Sequence, residues 1–239
     1  MSTLIRRLAS SSARGPLLSA AARRSAHTVG LTGAGGELGS ILRRKLTERG
    51  FAVVAIEKAP LRVVGAGEVA GEGEIDNVVE CRTADFAGAG GHACVTGVFE
   101  GCDTVVHLAA YPKPWASYAE VLAANMVGDQ LFYEEAARAK CGRFVYASTN
   151  HVQHGATTRT TPETLDSDRY GRHVDGYDLM KTSDAPVPDS FYAVSKLHGE
   201  NLGRLYARDH GLEVGGGWGE RARAKRVWLL SVWGGRRVG

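Results

Sequence analysis

Residues 28–56, TVGLTGAGGELGSILRRKLTERGFAVVAI, constrain the fold more than any other part of the chain. They read as a short apolar strand (28–32), a glycine loop and an amphipathic helix (37–49), with Leu38, Ile41, Leu42 and Leu46 at helical spacing. Gly50 ends the helix, and a second apolar strand (51–56) follows. Two apolar strands joined through a helix pair in parallel, and a parallel sheet must be covered on both faces.

The alternation continues along the chain. TVVHLA (104–109) and RFVYA (143–147) read as buried strands. Residues 118–125, running on through 131–139, and residues 191–210 read as helices. The pattern predicts an α/β fold, a doubly wound parallel sheet of Rossmann-like type. Strand order 3-2-1-4-5 is expected, with ligands at the carboxyl ends. Glycine-rich residues 65–92 are expected to form mobile loops, and residues 155–189, rich in Thr, Asp and Pro, an irregular excursion.

The loop after the first strand fits TGxxGxxG through Gly33, Gly36 and Gly39. Gly33 permits a tight turn, Gly36 a close backbone approach to a pyrophosphate, and Gly39 packing of helix on strand. The helix start at Glu37 and Leu38 then presents free N–H groups to phosphate. Glu57 ends the second strand, where a carboxylate accepts hydrogen bonds from ribose hydroxyls and repels a 2′-phosphate. That favours NAD over NADP, although Lys58 beside it supplies the opposite charge. Asp85 and Phe86 stand where a carboxylate and a backbone N–H reach adenine, or form a plain turn.

Tyr192 and Lys196 form YxxxK, one helical turn apart and therefore on one face. Upstream, Ser148-Thr149-Asn150-His151 follows a strand. Further upstream, Asn125 lies on a helix beyond the His107-Leu108-Ala109-Ala110 strand end. His107 reads as structural, and no metal constellation is evident.

Together TGxxGxxG, VVHLAA, the following Asn, ASTNHV and YAVSK resemble the extended short-chain dehydrogenase/reductases, the NAD-dependent epimerase/dehydratase family. ASTNHV followed by PDSFYAVSKLHGENLGRLYARDHGLEV is most similar to the uronate dehydrogenase-like sugar dehydrogenases. The resemblance spans roughly residues 28–214. It implies that Tyr192 is the proton acceptor, that Lys196 lowers its pKa and binds the nicotinamide ribose, and that Thr149 stands in for a serine orienting the substrate oxygen. It implies that Asn125 holds a water linking Lys196 to solvent, and that Leu108, Ala109 and Ala110 line the cofactor. Asn150 and His151 would touch a sugar's hydroxyls or carboxylate, with Ser117 and Tyr111 as further candidates for the same pocket.

Two departures stand out: Thr149 replaces serine with a longer, 43-residue gap to Tyr192, and past Val214 the family's further strand and small substrate-binding region are not found in the sequence. The implied activity is NAD-dependent oxidation of a hexuronate or aldose. The alternatives are a nucleotide-sugar epimerase or dehydratase, or a non-catalytic NAD-binding protein. The resemblance leaves a homo-oligomer open.

The two ends read differently from the middle. Residues 1–28 hold five Arg and no acid, whereas residues 215–239 hold six Lys or Arg, one Glu and seven Gly. The net charge of +3 therefore hides an acidic body, which does not favour nucleic acid as a partner. Residues 1–27 are expected to be a transit peptide to mitochondrion or chloroplast, failing which the chain is cytoplasmic. Residues 215–239 are expected to be an atypical tail in place of a substrate region. Such a C-terminally truncated domain would bind NAD but oxidise sugar poorly. Four cysteines without paired spacing read as incidental thiols, and no apolar run suggests a membrane span.

Overall fold

A computed structural model of the chain describes residues 26–65, 68, 70–84, 91–155, 184–215 and 230–231. Six strands form one parallel sheet: β1 (Thr28–Thr32), β2 (Ala52–Glu57), β3 (Glu80–Thr83), β4 (Thr104–His107), β5 (Arg143–Ser148) and β6 (Glu213–Gly215). Their spatial order is β3-β2-β1-β4-β5-β6, so the expected 3-2-1-4-5 order holds and a sixth strand extends it. A two-residue strand, β7 (Leu230–Ser231), pairs with Ala147–Ser148 at the end of β5. The helices are α1 (Glu37–Glu48), α2 (Tyr118–Val121), α3 (Gly128–Arg138), α4 (His151–His154) and α5 (Phe191–His210). A π-helical turn, Leu122–Val127, joins α2 to α3.

Strand alternation divides the core in two. In β2, Val53 and Ala55 join Leu31, Ile75 and Val78 on one face, against Leu42 and Leu46 of α1. Val54 and Ile56 join Val105, Phe144, Tyr146 and Val214 on the other face, against Phe132 of α3 and Tyr206 of α5. A period of two in the strands thus feeds two helical layers, which is why the strands read as continuous apolar runs. Gly30 keeps β1 thin on the second face, where a side chain would press on the Phe99 ring.

The helix ends follow their sequence signals. The N–H of Phe51 bonds the Leu46 carbonyl and that of Gly50 the Thr47 carbonyl, with Gly50 at φ +83°, a Schellman stop for α1. The Ser190 hydroxyl caps α5 by accepting from the Ala193 N–H.

Two expectations need correction. Residues 65–92 are not loop alone: β3 lies there, as does Glu74–Ile75, which pairs with Arg62–Val63 just before it, and a 3-10 turn at Gly91–Cys94 starts at their end. β3 is the third strand that the topology required. It escapes sequence reading because Glu-Cys-Arg-Thr is half-exposed edge strand with no apolar run. Within the tail, Leu230–Ser231 joins the sheet. His27 belongs to the fold, because its carbonyl accepts from the Ala52 N–H and its ring meets the Thr104 hydroxyl at 2.9 Å. The expectations for residues 1–25, 85–86, 156–183 and most of the tail fall outside the described residues.

Candidate active site

The glycine loop leaves β1 at the carboxyl edge of the sheet. Gly33 takes φ +68°, and a Cβ there would lie 3.0 Å from the Ala109 nitrogen. A Cβ on Gly39 would overlap the Gly33 carbonyl, so α1 starts as close to the loop as backbone allows. No side chain caps α1, whose N-cap is Gly36 and whose first turn carries Glu37 and Leu38. Glu57 closes the cradle by accepting the Gly35 N–H at 2.5 Å. On the far side, Thr32 Oγ1 accepts the N–H groups of Leu108 and Ala109, each at 3.1 Å, tying the β1 and β4 ends together. Ala110 follows directly, half-buried. These features fit a dinucleotide pyrophosphate: a small, uncapped helix start with a carboxylate at the next strand end.

Register sets the chemistry beside it. Thr32 pairs with His107, and His107 with Tyr146, across three adjacent strands. Because Thr32 Oγ1 already accepts two bonds, its proton goes to His107 Nδ1 at 2.7 Å. His107 therefore carries its own proton on Nε2 and donates to Asp129 Oδ1 at 3.0 Å. The other Asp129 oxygen accepts from the Tyr146 hydroxyl at 2.5 Å. All four side chains are buried. Burial holds the His107 pKa below its ordinary value, against the pull of Asp129.

Lys196 is buried too, with its ammonium 4.2 Å from the centre of the Tyr146 ring. Burial lowers its pKa, and the negative charges of Asp129 and Glu200 oppose that. Glu200 is itself fixed by the Ser148 hydroxyl at 2.6 Å.

Tyr192 and Thr149 meet. Burial raises the Tyr192 phenol pKa, and the hydrogen bond from Thr149 pulls it down. The expectation that Lys196 governs this phenol is not met in this arrangement, where burial dominates and the ammonium rests on Tyr146. Asn125 ties two distant segments together. Its Oδ1 accepts the Tyr111 N–H at 2.7 Å, and its Nδ2 donates to Ser195 Oγ at 2.9 Å. The Ser195 hydroxyl donates in turn to the Tyr192 carbonyl at 2.7 Å. Asn125 thus locks the loop after β4 to the Tyr192 turn of α5, and the π-helical turn aims it there.

Other candidates lie at the rim. The Ser117 hydroxyl serves a capping box with Glu120 at the start of α2. The Tyr111 hydroxyl donates to Glu120 at 2.6 Å, and these bonds hold the Glu120 pKa down at about 2. Asn150 contacts His154 Nε2 at 2.9 Å, and His151 Nδ1 contacts Asp189 at 2.7 Å. His151 also lies edge-on to the Tyr192 ring, 6.1 Å between centroids.

Sequence reading missed Asp129, Ser195, Glu200 and Thr32. One signal was present for Asp129: it falls on the inward stripe of its helix, one turn after Asn125 and one before Tyr133.

Fold and site together define a dinucleotide-binding α/β protein with a Thr-Tyr-Lys group at the carboxyl edge of its sheet. The chain belongs to the NAD dependent epimerase/dehydratase family, whose model matches residues 29–217. The L-arabinose 1-dehydrogenase (NAD(P)(+)) of Haloferax volcanii is 46% identical over 122 residues, 50% of this chain and 45% of that protein. A uronate dehydrogenase of Agrobacterium fabrum is 32% identical over 188 residues, 77% of this chain and 57% of that protein. Among solved structures, a mutant uronate dehydrogenase from Agrobacterium tumefaciens complexed with NAD aligns with TM-score 0.56 at 26% identity, over 77% of this chain and 57% of that one. The chain thus spans about half the length of these relatives.

Proposed function

We propose that this chain binds NAD and carries the proton-transfer group of a sugar dehydrogenase that oxidises a hexuronate or aldose at C1. The observation that supports this best is the juxtaposition of Thr149 and Tyr192, with Lys196 one turn on, at the sheet edge that also bears the glycine cradle. The names of the relatives point to the same reaction class.

When bound, the dinucleotide supplies a hydride acceptor for the substrate carbon. Tyr192 takes the proton from the same carbon's hydroxyl, so that C–H and O–H bonds break as the carbonyl forms. Thr149 orients the substrate oxygen toward that phenol. The Lys196 ammonium is the one cation buried beside this group among the described residues, and it favours the phenolate once it faces it. Glu57 disfavours a 2′-phosphate by its charge, which supports preference for NAD over NADP.

The test is NADH absorbance with arabinose, glucuronate and galacturonate, beside calorimetry with NAD and NADP. NADH accumulating with one of these sugars supports the dehydrogenase. Tight NAD binding with sugar conversion but no free NADH favours an epimerase or dehydratase instead. Binding without any conversion favours a non-catalytic NAD-binding protein.

Import into an organelle is a separate part of this reading. Five Arg and no acid in residues 1–28 support it. Fusion of residues 1–27 to a fluorescent reporter tests it, and a diffuse cytosolic signal would overturn it.

A further inference from the structure

We propose that His151, His154 and Asp189 form a binding site for one divalent transition-metal ion of the zinc class, beside Tyr192. The site would bind its ion whether or not the sugar-oxidation reading holds.

His151 and His154 are one turn apart on α4, with ring centroids 4.6 Å apart. Both turn Nδ1 toward the same carboxylate oxygen, Asp189 Oδ2, at 2.7 and 3.4 Å. The three ligand atoms lie within 4.8 Å of one another. A tetrahedral ion with bonds of about 2.0–2.1 Å holds its ligands roughly 3.4 Å apart. The His154 separation already has that value, the His151 contact must open by about 0.7 Å, and the two imidazole nitrogens, within 4.8 Å of each other, must settle to the same spacing, which side-chain rotation allows.

The groups behind these ligands are also placed. The Ser190 hydroxyl donates to the other carboxylate oxygen, Asp189 Oδ1, at 2.8 Å, which leaves Oδ2 to the ion. The Asn150 amide lies 2.9 Å from His154 Nε2. Ligation through Nδ1 places the ring proton on Nε2, and the amide turned about its bond offers its oxygen to that proton. The His151 backbone N–H donates to the Thr149 hydroxyl at 3.3 Å, fixing the start of α4. Two imidazoles and one carboxylate suit zinc, cobalt or nickel better than calcium or magnesium, which take oxygen sets.

Three protein ligands leave at least one position for water or an oxygen-bearing ligand. Trp115, Ser117 and Phe191, with Asp189, line an open groove of about 650 Å³ next to it, through which such a ligand can arrive.

Untagged full-length chain, stripped with chelator and dialysed, is titrated with Zn²⁺ by calorimetry and with Co²⁺ by visible absorption. The expected result is one ion per chain, with intensified d–d bands for Co²⁺. His154→Gln and Asp189→Asn each remove a ligand and should weaken binding by more than roughly a hundredfold, the upper end for losing a group behind a ligand. His210→Gln, at the far end of α5, should leave it unchanged, and melting curves confirm that each variant is folded. Absence of saturable one-to-one binding would overturn the proposal. So would binding that both folded variants retain, since adventitious thiol or histidine contacts would then account for it.

Discussion

Asp129 is the carboxylate on which the buried polar groups of the site converge. It accepts from His107 and Tyr146, and its charge pushes the Tyr192 pKa further up and opposes the larger lowering of the Lys196 pKa by burial. In Asp129→Asn one oxygen becomes an N–H₂ donor, which cannot accept the His107 proton. We expect a loss of about 1–3 kcal/mol in urea unfolding, the usual penalty of an orphaned buried partner. Unchanged stability would mean that the network rearranges freely. His107 gives a pH signature. Its folded pKa lies below the unfolded value of about 6.5, so the unfolded state takes up protons first. The associated stability is whole above about pH 6.5 and declines as pH falls from there toward the folded pKa. The urea midpoint should drop over that window, and His107→Gln should flatten this part of the profile. Tyr192→Phe removes the proton acceptor while keeping the ring. We expect turnover to fall by about 10²–10⁴-fold with NAD affinity nearly unchanged; a comparable loss of affinity in calorimetry would assign the phenol to binding instead.

At the scale of elements, two glycines fix how closely helices approach the sheet. Gly39 lets α1 start against the loop, and Gly199 lets α5 lie on the Tyr146 hydroxyl and the Asp129 carboxylate. Gly39→Ala should abolish measurable NAD binding in calorimetry, because the new Cβ would meet backbone that cannot move aside. Gly199→Ala should lower stability by about 1–3 kcal/mol through overpacking, and unaltered melting would show that α5 can shift. The first glycine was legible in the sequence, since TGxxGxxG between a strand and a helix states its own geometry. The second was not. A glycine within a helix declares no partner, and only the packing of α5 on β5 shows what fills the missing side chain's place. Asn125 illustrates the same limit: its position on a helix was legible, but its bonds to Tyr111 and Ser195 depend on two elements far away in sequence.

The whole sheet rests on register. Rows of residues at the carboxyl ends bring Ile56, Thr32, His107 and Tyr146 side by side, although they span 114 positions of the chain from Thr32 to Tyr146. The described fold begins at Ala26 and His27, with His27 bonded to Ala52 and Thr104. Residues 1–25 hold five Arg, no acid and one short apolar face, so removing them should leave the melting temperature within a degree or two. Removing His27 as well should lower it measurably, through loss of a bond to the Thr104 hydroxyl and one to the first residue of β2; equal melting of the two forms would exclude His27 from the fold.

By itself the sequence determined the α/β class, the helix and strand periods, the glycine cradle and the pairing of Tyr192 with Lys196, because each depends on residues a turn or a loop apart. Tertiary structure alone decided β3, the buried His107–Asp129–Tyr146 network, the resting place of the Lys196 ammonium and the meeting of Asp189 with His151 and His154. Those depend on register and helix placement between distant segments. A hydrophobic pattern says which face turns inward, but which polar groups then face one another follows only from the packed geometry.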